Sequence, residues 1–161
     1  MSFFKTKFES HKQEWETPDD LFDRLDQEFH FAIDLAADAT NAKCRRYYSK
    51  RTNALLQTWQ GTGWLNPPYG AREYKLSDWV RKAYLETRKA GCTVVMLIPA
   101  RTNTRWWHDY CMKAAEIRFL NGRPKFGDAQ HGLPQPLALI VFRSGSRRPR
   151  LTSYSVDVCE S

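Results

Sequence analysis

The run Thr93-Val-Val-Met-Leu-Ile98 is uncharged and almost entirely apolar. An unbroken run of this kind is typical of a central parallel strand that is buried on both faces. Pro99-Ala-Arg-Thr102 follows directly, and proline ends the strand because it cannot donate to the strand ladder. The run therefore predicts a sheet with a buried centre, whose faces are covered by other elements.

Helical and strand patterns alternate on both sides of this run. Thr17 and Pro18 suit the N-cap and the first position of a helix. Apolar spacing predicts two further helices, one starting at Ser77 and one over 104–115. Short apolar stretches predict the remaining strands, which are 31–34, 62–66, 117–120 and 137–142. We expect an α/β domain with a mostly parallel, Rossmann-like sheet and helices on both faces.

Composition limits the class of protein. The 161 residues are enough for one domain, and the six Trp, seven Tyr and nine Phe argue against a disordered polymer. The formal net charge of +7 favours a polyanionic partner, most often nucleic acid. The four cysteines show no CxxC spacing, so we expect reduced thiols, no metal site and a cytoplasmic protein without a membrane span.

The chain divides into three parts by pattern. Residues 1–13 are expected to be an N-terminal extension, and 14–142 to be the folded domain. Residues 143–161 begin with four arginines among Ser, Gly and Pro, which predicts a flexible basic tail.

The tetrapeptide Asn66-Pro-Pro-Tyr69 follows the apolar approach Gly63-Trp64-Leu65. The prolines end the strand and leave an Asn amide, a fixed carbonyl and a Tyr ring close together. The Asn66 amide oxygen and the Pro67 carbonyl can each accept a hydrogen bond from a planar amino group, and Tyr69 can stack on the ring that carries it. A plain proline-terminated strand and turn is the alternative.

Three polar segments follow predicted strands. They are Asp34-Leu-Ala-Ala37, Asn66-Pro-Pro-Tyr69 and Pro99-Ala-Arg-Thr102. Ligands of open α/β sheets bind outside the carboxyl ends of the strands. We therefore expect these segments to meet at one edge of the sheet and to form a site there.

The tetrapeptide resembles the amino-methyltransferase motif [DNS]-P-P-[YFW]. More of the chain, about residues 14–142, resembles the small phage-type DNA N6-adenine methyltransferases (the Dam-like phage family). The matching segments occur in the family's order: Glu14-Trp-Glu-Thr-Pro18, Asp34-Leu-Ala-Ala37, Asn53-Ala-Leu55 with Trp59, Trp64-Leu-Asn-Pro-Pro-Tyr69, Pro99-Ala-Arg-Thr102 with Arg105-Trp106, and Gly122-Arg-Pro-Lys-Phe126.

The resemblance implies S-adenosylmethionine as methyl donor and the N6 of adenine in double-stranded DNA as acceptor, in the cytoplasm of a bacterial host if a phage encodes the protein. It implies catalysis at Asn66, Pro67, Pro68 and Tyr69. It implies cofactor contacts from Thr17, Pro18, Asp34, Ala36, Asn53 and Asn66. Ala36 and Ala37 stand where larger methyltransferases have a Gly-rich turn, and a cofactor without phosphate needs no such cradle.

Basic and aromatic residues after the later strands are the candidates for DNA contact. They are Arg101, Arg105, Trp106, Arg123, Lys125 and Phe126. Arg and Lys suit phosphates, and aromatic rings suit bases. A packing role for Trp106 and a solvated turn at 123–126 are the alternatives.

Two other functions fit the same residues. One is the same chemistry on a protein glutamine amide or an RNA adenine. The other is an inactive DNA-binding module, which the intact tetrapeptide argues against. Loops 70–76 and 127–136 are the expected sources of sequence specificity.

Overall fold

The computed structural model describes residues 16–70, 73–125 and 135–157, which form a six-stranded sheet and three α-helices. In chain order the elements are α1 (Asp19–Phe29), β1 (Ile33–Asp34), β2 (Gly61–Leu65), α2 (Leu76–Glu86), β3 (Cys92–Pro99), α3 (Arg105–Asp109), β4 (Glu116–Asn121), β5 (Leu137–Phe142) and β6 (Arg150–Ser155). Short 3-10 helices lie at Ala54–Leu56 and Cys111–Lys113. The predicted α/β class is confirmed.

The sheet is mixed, so the expectation of a mostly parallel sheet is wrong. The strand order is β1-β2-β3-β5-β4-β6. Strands β1, β2 and β3 are parallel, whereas β5 runs antiparallel to both β3 and β4. Strands β4 and β5 pair antiparallel, with Phe119 opposite Ala138, and an antiparallel pair needs no crossover connection. All six residues of β5 are buried, and burial does not encode strand direction.

Side chains of β3 alternate between two apolar layers. Val94, Met96 and Ile98 join a core cluster that includes Val80 of α2 and Trp107 of α3. Val95 and Leu97 join a second cluster, which includes residues Leu21, Phe22 and Leu25 of α1. This alternation follows from the two-residue repeat of a strand.

The described part of the C-terminal segment, residues 143–157, contains a strand, which corrects the expectation of a flexible tail there. Strand β6 pairs with β4 over six residues in parallel register. The guanidinium of Arg24 on α1 donates to the carbonyl oxygens of Ser155 (3.0 Å) and Val156 (2.8 Å). The basic composition of the segment hid a strand whose stability comes from backbone pairing.

Helix boundaries differ from the predictions at three places. Helix α2 begins at Leu76 with Lys75 as its N-cap, not at Ser77. Pro18, not Thr17, is the N-cap of α1, and no side chain caps this helix. The predicted helix over 104–115 is a single turn and a half followed by the 3-10 helix at 111–113. Among the residues that the structure describes, no helix is long and apolar enough to cross a membrane.

Candidate active site

A cavity of about 440 Å³ opens where β1 and β2 end. It is lined by two of the three segments that we expected at this edge: residues from Asp34 to Asp38, and Asn66 to Pro68. The third segment, Pro99–Thr102, follows β3 at the same edge because β2 and β3 are parallel neighbours, but it does not line the cavity. Of the predicted cofactor residues, Thr17, Asp34, Ala36, Asn53 and Asn66 line the cavity and Pro18 does not.

The amide of Asn66 is held from two sides. Its Nδ2 donates to the Thr17 hydroxyl at 3.1 Å, and its Oδ1 accepts a hydrogen bond from the Tyr69 hydroxyl at 3.0 Å. The single proton of the Tyr69 hydroxyl is shared between Oδ1 of Asn66 and the carbonyl oxygen of Leu97 on β3, which lies 2.8 Å away. Burial raises the pKa of Tyr69, so its hydroxyl stays protonated and remains a donor. The Asn66 amide is therefore held by Thr17, which precedes α1, and by Tyr69, which also contacts β3.

Asp34 ends β1 with a buried carboxylate. Oδ1 accepts from the Ala36 N–H at 3.2 Å, and Oδ2 accepts from the Lys43 N–H at 3.0 Å. Burial raises the pKa of Asp34 to about 6, against the lowering effect of these two N–H groups and of the Lys43 charge. The carboxylate therefore orders the loop that follows β1, and it also lines the cavity.

Asn53 lies at a second wall of the cavity and is engaged through both ends of its amide. Oδ1 accepts from the Leu55 N–H at 3.2 Å, and Nδ2 donates to the Tyr74 hydroxyl at 2.9 Å. Its backbone has a positive φ of 49°, which asparagine tolerates better than most residues. Asn53 thereby fixes the position of the Tyr74 ring beside the cavity.

Several cavity residues were missed at the sequence level. Tyr48, Tyr74 and Trp79 add aromatic surface, and Lys43 adds a cation. The indole N–H of Trp79 is buried without a hydrogen-bond partner among the described residues. An aromatic residue five positions after the tetrapeptide, Tyr74, was a usable signal. Tyr48 and Trp79 carried none, since their positions depend on tertiary packing.

The predicted DNA-contact residues that the structure describes lie at the same edge of the sheet, outside the cavity. Strands β3 and β4 both end there, because each is antiparallel to β5. Arg101 and Arg105 follow β3, and Arg123 and Lys125 follow β4; all four are exposed. Trp106 is half-buried and packs against the core, with its ring 6.1 Å from that of Trp107. Phe126 lies outside the described residues.

Within the described ranges, no group of three or more His, Cys, Asp or Glu side chains could hold a metal ion. Cys44, Cys92 and Cys111 are free thiols. The cavity itself is lined by amide, carboxylate, hydroxyl, aromatic and basic side chains.

The sequence was compared with known proteins. Residues 5–143 match the family model described as DNA N-6-adenine-methyltransferase (Dam). The chain belongs to this family. Among relatives, the DNA N-6-adenine-methyltransferase of Haemophilus phage HP1 is 30% identical over 143 residues, which cover 81% of this chain and 80% of that protein.

A second phage relative extends well beyond the matched part. The DNA N-6-adenine-methyltransferase of Escherichia phage T1 is 33% identical over 106 residues, which are 64% of this chain and 42% of that protein. The chain thus matches less than half the length of the T1 relative. Family membership supports the resemblance drawn from the ordered segments, and the cavity with Asn66 on its wall lies within the matched residues.

Proposed function

We propose that this protein transfers a methyl group from S-adenosylmethionine to the N6 of adenine in DNA. Membership of the Dam family supports the reaction. The observation that carries the assignment to these residues is the amide of Asn66, which is held on the cavity wall by Thr17 and Tyr69. It lies at the same edge as the buried carboxylate of Asp34.

The cavity fits the methyl donor in size and in donor set. Its volume of about 440 Å³ lies within the range of small-molecule sites. The carboxylate of Asp34 suits the ammonium group or a ribose hydroxyl of the donor, and Tyr48 and Tyr74 offer rings for its adenine. Asn53 contributes by orienting Tyr74. When bound, the donor supplies a methyl group that its positively charged sulfur activates.

The amide of Asn66 and the carbonyl of Pro67 act on the acceptor. The N6 lone pair of adenine is a poor nucleophile because it is delocalised into the ring. Two acceptors aimed at the N6 hydrogens favour a pyramidal nitrogen with a localised lone pair, and that geometry belongs to the transition state more than to the ground state. An amide that is already held in place does not have to reorient when the transition state forms. Thr17 and Tyr69 fix the amide of Asn66.

The acceptor base is paired inside the duplex and must be flipped out to reach this edge. Tyr69 is the proposed stacking partner, and its ring is held by the hydroxyl contact to Leu97. Arg101, Arg105, Arg123 and Lys125, exposed beyond the ends of β3 and β4, are proposed to contact phosphates of the same duplex. The two pairs of cations follow β3 and β4, which have β5 between them. Adjacent strands are about 4.8 Å apart, so the two pairs lie roughly 10 Å apart along this edge.

The product decides between this function and its competitors. Purified protein is incubated with tritiated S-adenosylmethionine and unmethylated duplex DNA, and the nucleosides are separated. We expect the label in N6-methyladenine. RNA and protein are tested as substrates in parallel reactions. Label in cytosine, in RNA but not DNA, or in a glutamine of the protein would show that adenine N6 in DNA is not the acceptor.

Asn66→Ala tests the catalytic assignment. Loss of one preorganised polar group at a reacting centre should lower the single-turnover rate about 100-fold or more at saturating donor. Asn103→Ala, which removes an exposed amide after β3, is the matched control and should keep the wild-type rate. A folded Asn66→Ala protein with a near-normal rate would contradict the mechanism.

A further inference from the structure

A second cavity, of about 380 Å³, lies at the opposite end of the strands from the candidate active site. Phe142 ends β5 opposite Val94 at the start of β3, whereas Leu137 begins β5 opposite Pro99 at the end of β3. These five residue steps separate Phe142 from the active-site edge by about 17 Å. The second cavity is therefore distinct from the methyltransferase site.

The cavity has a strong excess of positive charge. Arg88, Lys113, Arg143 and Arg147 line it, and no acidic residue does so among the described residues. Arg143 forms a long ion pair with Glu116, at 3.6 Å, and Glu116 also pairs with Arg118 and Arg150. Within the described residues, no ion pair joins Arg88, Lys113 or Arg147 to a carboxylate. Cations gathered without counter-charges repel one another, and an anion in the cavity relieves that repulsion.

Tyr84 organises the basic side chains. The ammonium of Lys113 lies 5.6 Å from its ring centroid and the guanidinium of Arg88 lies 5.4 Å from it. The Arg88 side chain also donates to the Tyr84 hydroxyl at 2.8 Å. This contact leaves the hydroxyl proton directed elsewhere, as a further donor. The Tyr84 ring packs on Tyr110 and Phe142, so the centre of the cluster is anchored in the core.

The turn after β5 completes the site with small polar residues. Ser144, Gly145 and Ser146 line the cavity. Gly145 has a φ of +81°, and nothing within 4 Å meets a Cβ built there. The open turn brings hydroxyl groups and backbone next to the four cations. Hydroxyls, backbone N–H groups, Arg and Lys are the groups that contact the phosphates of DNA.

We infer that the cavity lined by Tyr84, Arg88, Lys113 and Arg147 binds backbone phosphates of DNA at a point remote from the reacting base. The inference rests on the proposed DNA substrate. It gives the protein a second DNA-contact surface, separate from the edge that carries the active site. Such contacts raise affinity without reading sequence.

The test compares two double variants that each remove one charge from α2 or the residues just after it, and one from the turn after β5. Arg88→Gln/Arg147→Gln removes two cations of the cavity, whereas Arg81→Gln/Arg148→Gln removes two exposed cations that do not line it. Fluorescence anisotropy with a labelled 30-base-pair duplex gives Kd at several salt concentrations. Melting temperatures check that all proteins are folded.

We expect the cavity variant to lose roughly tenfold in affinity near physiological salt, with a salt slope smaller by about 2, because two phosphate contacts are lost. The control variant should change Kd by less than about threefold. Equal losses in the two variants, or no loss in either, would overturn the inference. So would competition by polyglutamate as effective as that by unlabelled duplex at equal charge.

The methyl-transfer rate separates this inference from the proposed function. The cavity variant should keep the wild-type single-turnover rate at saturating DNA, since its residues lie far from the reacting base. If wild-type protein methylates adenine and the two double variants bind alike, only the inference fails. If no adenine is methylated but the cavity variant alone loses duplex affinity, the inference stands and the proposed function fails.

Discussion

At the scale of single residues, the amide of Asn66 derives its orientation from a residue 49 positions earlier. Thr17 was predicted as a helix cap, yet its hydroxyl is buried and accepts the Asn66 Nδ2–H. In the structure Nδ2 faces the Thr17 hydroxyl and Oδ1 faces the Tyr69 hydroxyl, so Thr17 is the acceptor and Tyr69 the donor. Thr17 is therefore a positioning residue in the proposed mechanism.

Thr17→Val keeps the shape of the side chain and removes the acceptor. The single-turnover rate at saturating donor should fall about tenfold, which corresponds to the loss of a net hydrogen bond of about 1.4 kcal/mol. Thr17→Ser should restore most of the rate. A weaker donor affinity with an unchanged saturating rate would instead place Thr17 in cofactor binding alone.

The proposed donor site should respond to pH through Asp34. Its pKa of about 6 in the folded protein, raised by burial, means that the carboxylate takes up a proton as pH falls through 6. The proton removes the charge that we propose pairs with the donor's ammonium. Donor affinity by calorimetry should be flat above pH 7 and fall by up to about tenfold per pH unit below pH 6.

Two variants make this pH dependence specific. Asp34→Asn should bind weakly at pH 7.5 and lose the dependence near pH 6, whereas Asp20→Asn, on the exposed side of α1, should behave as wild type. The effect on folding has the opposite sign. Because the folded pKa is raised from 3.8, Asp34 contributes stability below pH 3.8 that is lost as pH rises through about 6.

At the scale of elements, Arg118 joins α1 to the far half of the sheet. Its buried guanidinium on β4 contacts both oxygens of Glu28 on α1, at 2.7 and 2.5 Å, and lies 2.9 Å from Glu116. It also lies 5.2 Å from the Phe29 ring centroid and 5.8 Å from that of Tyr154 on β6. One side chain thus links a helix and two strands.

Arg118→Met should destabilise the protein by about 3 kcal/mol, because Glu116 is left buried beside it without its main partner. Urea unfolding measures this loss. Arg105→Met is the control, since the Arg105 side chain is 93% exposed and its pair with Asp109 is long, at 3.4 Å; exposed pairs contribute little. Similar stabilities for the two variants would contradict the role of Arg118.

At the scale of the whole molecule, the C-terminal strand β6 forms one edge of the sheet and covers β4. Removal of residues 145–161 exposes the backbone of β4 and eliminates the hydrogen bonds of Arg24 to Ser155 and Val156. We expect a loss of at least about 3 kcal/mol, which lowers Tm by roughly 6–12 °C for a chain of this size. Calorimetry measures it, and Arg147→Gln/Arg148→Gln should leave Tm unchanged. A truncated protein with wild-type Tm would support a dispensable tail.

The sequence by itself determined the α/β class and the order of the polar segments. The run at 93–98 predicted β3 because burial on both faces requires uninterrupted apolar residues. Asp34 and Asn66 were predicted at one edge because both follow parallel strands. The family was also readable, since its short segments recur in a fixed order.

Only the tertiary structure decided how those elements are completed. The direction of β5 was hidden, because a doubly buried strand has the same apolar pattern in either direction. Strand β6 was hidden because backbone pairing at a sheet edge tolerates a polar, basic sequence. The contacts of Thr17 with Asn66, and of Asn53 with Tyr74, join residues that local sequence cannot relate. Local patterns report burial and chain reversal, whereas such contacts depend on the packing of distant segments.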